Sequence, residues 1–197
     1  MNDSIDLLME LKQQKNAIIL AHNYTNPDVQ EVADFIGDSL ELSQKAAVCD
    51  ASVIVFCGVR FMAETAKLLN PGAKVLLPNP DAGCPMADMV NAEALRRYKE
   101  HNPDATIVAY INTTADTKTE VDICCTSSNA ERIINSIAPG TKILFVPDQN
   151  LGDWVRYRCD RHGDIELWPG FCPTHNKIMP WHIEDARDKH PNAAVMA

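Results

Sequence analysis

Cys84 and Cys172 stand 88 residues apart, and each is followed by a proline, Pro85 and Pro173. Gly83 and Gly170 precede them closely. Glycine lets a backbone approach something closely and proline stiffens the bend, so each thiol is expected on a tight, rigid loop. Packing does not require a thiol there, and metal ligation is the chemistry to test. Zinc fits poorly, because structural zinc sites draw on C-x₂₋₄-C pairs. The chain has none, and its one candidate pair is Cys172 with His175. The same offset of 88 carries Ser39 onto Ser127 and the segment Asn16–Tyr24 onto Asp104–Asn112. His22 and Tyr24 therefore correspond to Tyr110 and Asn112, groups that can move protons or hold a polar substrate. A third copy opens at Pro191–Ala197, matching Pro103–Ala109. One cysteine per repeat suggests a ligand set of three-fold character. Three thiolates on a four-iron cluster would leave one iron open as a Lewis acid.

These residues must be positioned by repeated elements, because an internal repeat fixes how many equivalent units a fold contains. Ala17–Leu20, Ser52–Phe56, Lys74–Leu77, Thr106–Ala109, Lys142–Val146 and Ile165–Leu167 are near-continuous apolar runs. Strands covered on both faces of a parallel sheet read this way. Between them, Asn26-Pro27 opens a helix expected over Asp28–Ile36, and further helices are expected over Leu40–Ala47, Phe61–Leu69 and Ala130–Ile137. The fold class is α/β, built of repeated parallel βαβα units with right-handed crossovers. The expected division is an N-terminal helix over 1–15, a first repeat over 16–103, a second over 104–191, and the strand of a third over 192–197. Functional groups in such units lie beyond the carboxyl ends of the strands. Ser39 and Ser127 fall at helix starts, where a serine either caps the helix or helps hold a carboxylate or phosphate. Cys49, Cys57 and Cys159 read as small buried hydrophobes, and Cys124 and Cys125 as structural.

Composition narrows the classes. The 197 residues are 46% hydrophobic, enough for a sizeable core, and the formal net charge of −9 argues against nucleic acid or an anionic membrane as partner. No apolar run reaches the roughly 18 residues of a spanning helix. The first residues lack the pattern of a secretory signal, and seven cysteines is an odd number. Reduced thiols in a cytoplasmic protein are expected.

Ala21-His22-Asn23-Tyr24, Gly37-Asp38-Ser39, Pro80–Asp88 around Cys84, Tyr110-Ile111-Asn112, Cys125–Asn129, Pro147–Gly152 and Gly170-Phe171-Cys172 occur in this order. In this the chain resembles the quinolinate synthases, iron–sulfur enzymes of de novo NAD biosynthesis, over nearly its whole length. The resemblance implies three α/β domains in pseudo-three-fold symmetry around a [4Fe–4S] cluster. It implies condensation of iminoaspartate with dihydroxyacetone phosphate to quinolinate, with L-aspartate oxidase upstream. By resemblance Cys84 and Cys172 are cluster ligands. His22, Ser39, Tyr110, Asn112 and Ser127 line the substrate pocket, and His22 and Tyr24 are acid–base candidates. A tyrosine serves that role if a nearby metal lowers its pKa. The family's third domain, with its third cysteine, has no counterpart here, so the chain is expected to be about two-thirds of the enzyme and inactive alone. Two other classes stay open: an iron–sulfur sensor without turnover, and a non-catalytic binding module for phosphorylated metabolites. The acid–base lining weighs against the first. The second has no glycine-rich phosphate loop to support it.

Overall fold

The computed structural model describes residues 2–195 and contains two four-stranded parallel sheets. Helix α1 (Asn2–Gln14) leads into β1 (Ala17–His22), α2 (Pro27–Glu31), β2 (Phe35–Gly37), α3 (Ser39–Val48), β3 (Val53–Cys57), α4 (Arg60–Leu69) and β4 (Lys74–Leu76). The second set runs α5 (Ala92–His101), β5 (Thr106–Tyr110), α6 (Ala115–Lys118), β6 (Ile123–Cys125), α7 (Ala130–Ser136), β7 (Ile143–Val146), α8 (Gln149–Arg158) and β8 (Ile165–Leu167). The sheet orders are β2-β1-β3-β4 and β6-β5-β7-β8, so the two are copies in topology. The α/β class read from the apolar runs is the observed one.

The copying extends to single hydrogen bonds. Ile19 N donates to Asp34 Oδ2 (2.8 Å) and Asp34 N to Ile19 O (2.9 Å). Ile107 N donates to Asp122 Oδ2 (2.7 Å) and Asp122 N to Ile107 O (3.0 Å). Lys12 pairs with Asp34 and Lys99 with Asp122. Each aspartate ties the lead-in of an edge strand to the central strand and to the preceding helix.

Phe56 and Phe145, both fully buried, anchor equivalent cores under α3 with α4 and under α7 with α8. At Gly152 of α8 an added Cβ would meet Leu167 at 2.6 Å and Phe145 at 2.8 Å, so only glycine lets this helix sit so close to its sheet. Helix α5 covers the other face of the second sheet, with Leu95 packed among Ile107, Ala109, Leu144 and Val146. It lies within 16–103 of the expected division, yet its apolar face belongs to the second sheet.

Two expectations are corrected. The helix over Asp28–Ile36 stops at Glu31, and Phe35–Gly37 pairs with β1 as a strand. Its counterpart Ile123–Cys125 also pairs as a strand, with β5, although it carries only one aliphatic residue beside two cysteines. The strand expected at Ala193–Ala197 lies partly outside the described residues, and 193–195 carry no regular structure. The lead-in to it is present. Helix α9 (Pro180–Lys189) sits 88 residues after α5, and its C-cap His190 (φ −133°, ψ 65°) repeats that of Asn102 (φ −138°, ψ 65°). No residue of α9 is buried.

Candidate active site

The loops after β4 and β8 carry the two cysteines and are held together by Met89. Trp168 Nε1 donates to Met89 O (2.8 Å), and Phe171 N lies 3.3 Å from Met89 Sδ. Each loop is also pinned to the helix of its own sheet: Arg60 N donates to Ala82 O and Gln149 N to Gly170 O, both at 2.8 Å. Position 170 must be glycine, because a Cβ there would stand 2.4 Å from the Pro147 carbonyl oxygen. Ala82 at the equivalent place carries its Cβ without conflict.

This bracing brings Cys84 and Cys172 to one cavity of about 360 Å³, which Tyr24, Phe61, Asn112 and His175 also line. Asn112 Oδ1 is closed off from solvent and has no hydrogen-bond partner among the described residues. Such an atom costs about 1–3 kcal/mol unless something satisfies it, so Asn112 carries a polar group in need of a partner at a residue that lines the cavity. Tyr110, at the end of β5, has both cysteines, Cys125 and Asp148 near it. Burial first, then the Asp148 carboxylate and the three cysteines, push its pKa up to about 12, so its phenol is a neutral hydrogen-bond donor.

His22 ends β1 and is buried. Burial lowers its pKa and the Asp38 carboxylate partly offsets this, so the ring is neutral at pH 7. Its Nδ1 accepts a long hydrogen bond from Tyr24 N (3.4 Å), which leaves Nε2 to carry the proton. The Tyr24 ring lies on the imidazole at 3.7 Å between centroids. Desolvation and the nearby Cys84 raise the Tyr24 pKa, so neither tyrosine shows the lowered pKa that a proton-accepting role requires.

The two serines are placed differently. Asp38, not Ser39, caps α3, accepting from Leu40 N and Glu41 N at 2.8 Å in a capping box with Glu41. Ser39 is the first helical residue. Ser127 lies ahead of α7, whose N-cap is Asn129, and lines a separate concavity with Ser128, Glu131 and Arg132. Neither serine reaches the cavity of the two cysteines. Cys49 and Cys159 pack against the two cores, and Cys125 is buried in the second.

Several contributors escaped the sequence reading. Met89 and Trp168 act only through contacts about 80 residues apart, and no local pattern announces them. The same holds for Glu64 of α4, whose Oε2 accepts from Ala115 N (2.8 Å) across the two units, and for the partly buried Lys118.

The donor set fits part of a cluster site. Two thiols face one cavity with an unpaired amide oxygen beside them, and among the described residues no three His, Cys, Asp or Glu side chains stand together as a metal site. No helix among them is long and apolar enough to cross a membrane.

Comparison with known proteins gives this arrangement a context. A quinolinate synthase of Desulforudis audaxviator is 54% identical over 187 residues, covering 95% of this chain and 61% of that protein. One from Aquifex aeolicus is 55% identical over 185 residues, covering 94% and 57% respectively. One from Thermodesulfovibrio yellowstonii is 53% identical over 195 residues, covering 99% and 64%. The chain thus spans about three-fifths of the length of these curated relatives. The family profile "Quinolinate synthetase A protein" matches residues 6–197, and with these identities the chain belongs to that family.

Proposed function

We propose that this chain is the two-unit portion of a quinolinate synthase, which condenses iminoaspartate with dihydroxyacetone phosphate to quinolinate, phosphate and water in de novo NAD biosynthesis. The observation that carries this reading is the convergence of Cys84, Cys172, Tyr24 and Asn112 on one cavity in a chain of this family. In the complete protein a third unit would close the cavity and supply the remaining thiolate, giving a three-domain, pseudo-three-fold molecule. L-Aspartate oxidase would supply the imine in the cytoplasm.

Cys84 and Cys172 would hold a [4Fe–4S] cluster, whose open iron supplies Lewis-acid chemistry. The residues of the chain do the rest. Asn112 offers an amide to a substrate carboxylate or hydroxyl. Tyr110, kept neutral, donates a hydrogen bond towards the oxygen that gains charge as a carbonyl is attacked. His22, neutral with its proton on Nε2, can donate a hydrogen bond from that nitrogen to a substrate oxygen, and Tyr24 closes over its ring. Ser39 lies in the first turn of α3, whose Leu40 and Glu41 N–H groups are already taken by Asp38, so it would join the substrate site only if that cap opened. Ser127 would join the substrate site only if its loop moved, since it faces another concavity.

The test is anaerobic purification of the family-length protein, reconstitution with iron and sulfide, and an assay for quinolinate. Product formation that depends on both substrates supports the reading. A stable four-iron cluster with no turnover would favour a sensor, and no cluster would favour a binding module. The 197-residue chain treated identically is expected to give no robust turnover, because it carries two of the three thiolates the family's cluster uses.

A further inference from the structure

Lys118 ends the single-turn helix α6 and folds back along its own chain. Its Nζ donates to Ile111 O (3.0 Å) and, in a shorter contact, to Thr113 O. Those are the two carbonyls that flank Asn112. The ammonium also lies 5.8 Å from the centre of the Phe61 ring of α4, in the other unit. The start of α6 is held from that same helix, where Glu64 Oε2 accepts from Ala115 N (2.8 Å). Thr117, fully buried, adds a bond from its Oγ1 to Val90 O (3.3 Å). The loop that carries Asn112 is therefore gripped at both ends, and Asn112, whose Oδ1 has no partner among the described residues, lines the cysteine cavity.

We propose that Lys118 is a positioning residue of the active site: by holding the carbonyls on both sides of Asn112 it fixes the direction in which that amide meets substrate. This rests on the synthase reading for its catalytic consequence, but not for its geometry. A charged group suits the task, because one ammonium can donate to two carbonyls at once and bind them more tightly than a neutral donor would. Burial draws the Lys118 pKa down to about 8, with Cys124 and Glu64 opposing the shift, so most of the charge is present at pH 7. Hydrophobic packing does not explain the lysine, since an apolar side chain would leave both carbonyls without this donor.

Two readings of Lys118→Met in the family-length protein test the idea. The first is hydrogen exchange of the segment 110–116, expected to quicken while β5 and β7 keep their protection. The second is a double-mutant cycle with Asn112→Ala, read as kcat/KM for quinolinate formation. Misdirecting a binding group is expected to cost on the order of 10- to 100-fold. In the Asn112→Ala background Lys118→Met should then cost less than about twofold, because the residue it positions is gone. Unchanged exchange, or an equal loss in both backgrounds, overturns the proposal, since a merely structural lysine would act independently of Asn112. If the wild-type protein forms no quinolinate, the synthase reading fails, and exchange alone decides the positioning role. Should Lys118→Met not fold, Lys118→Gln takes its place with the same readings.

Discussion

At the carboxyl end of β1, Tyr24 is 62% exposed and lies over His22; at the carboxyl end of β5, Tyr110 is enclosed by both cysteine loops and Asp148. The frames beneath are the same, with matching strand orders and matching Lys12–Asp34 and Lys99–Asp122 pairs. The cover is what differs. Glu64 of α4 holds the loop after β5 from the other unit, whereas the Tyr24 hydroxyl reaches only Met62 Sδ (4.0 Å) of its own unit and its ring lines the cysteine cavity. The repeat therefore sets where these side chains stand, and the neighbouring unit sets their surroundings. An enclosed phenol stays neutral and donates, while at the first end it is the buried imidazole that is kept neutral and the tyrosine over it that is exposed.

The comparison can be broken first at its frames. Phe56→Ala and Phe145→Ala empty equivalent, fully buried sites and should each cost about 3–5 kcal/mol in urea unfolding. A cost well outside that range for one of them would show that the two sheets do not bear load alike.

The cysteine loops offer a sharper contrast. Gly170→Ala forces a Cβ against the Pro147 carbonyl and should cost about 1–3 kcal/mol, with less iron bound per chain after reconstitution. Gly83→Ala meets nothing nearer than 3.9 Å and should stay within about 0.5 kcal/mol. Equal effects at the two positions would deny that the Cys172 loop is the more tightly seated.

The smallest expected effect is the titration of His22. Its folded pKa lies below the usual value of 6.5, so the folded state disfavours the charged ring. The stability tied to the neutral ring is complete above pH 6.5 and is lost as pH falls through the folded pKa. Asp38→Asn removes the charge that holds this pKa up, and the His22 resonance followed by NMR should then titrate at still lower pH. A rise instead would mean that Asp38 does not act on the ring through its charge.

The apolar runs identified six of the eight strands, because strands buried on both faces are written as continuous hydrophobic stretches. β2 escaped because Asp28–Ile36 read as one helix across the break, and β6 because it carries only Ile123 beside two cysteines. A signal did exist: Ala33-Asp34-Phe35-Ile36 and Val121-Asp122-Ile123-Cys124 sit at the common offset, with the strand-tying aspartate in each. At the site, the offset singled out Cys84 with Cys172 and His22–Tyr24 with Tyr110–Asn112, and the structure lines one cavity with Cys84, Cys172, Tyr24 and Asn112. Ser39 and Ser127 obey the same offset yet do not reach that cavity: Ser39 is the first residue of α3 behind the Asp38 cap, and Ser127 lines another concavity. Lys118, Glu64 and Met89 were illegible because their roles exist only once distant segments meet.

The Met89 brace has a consequence for assembly. Its partners Trp168 and Phe171 lie 79 and 82 positions away, so the separation of the two thiols is fixed by contacts that close very large loops. Contacts of that span form late, after each sheet has gathered its own neighbours. A chain part-way through folding would carry Cys84 and Cys172 as two unrelated thiols on two separate sheets. The cavity is thus a product of docking, and any iron captured before the units meet would be captured by one cysteine at a time.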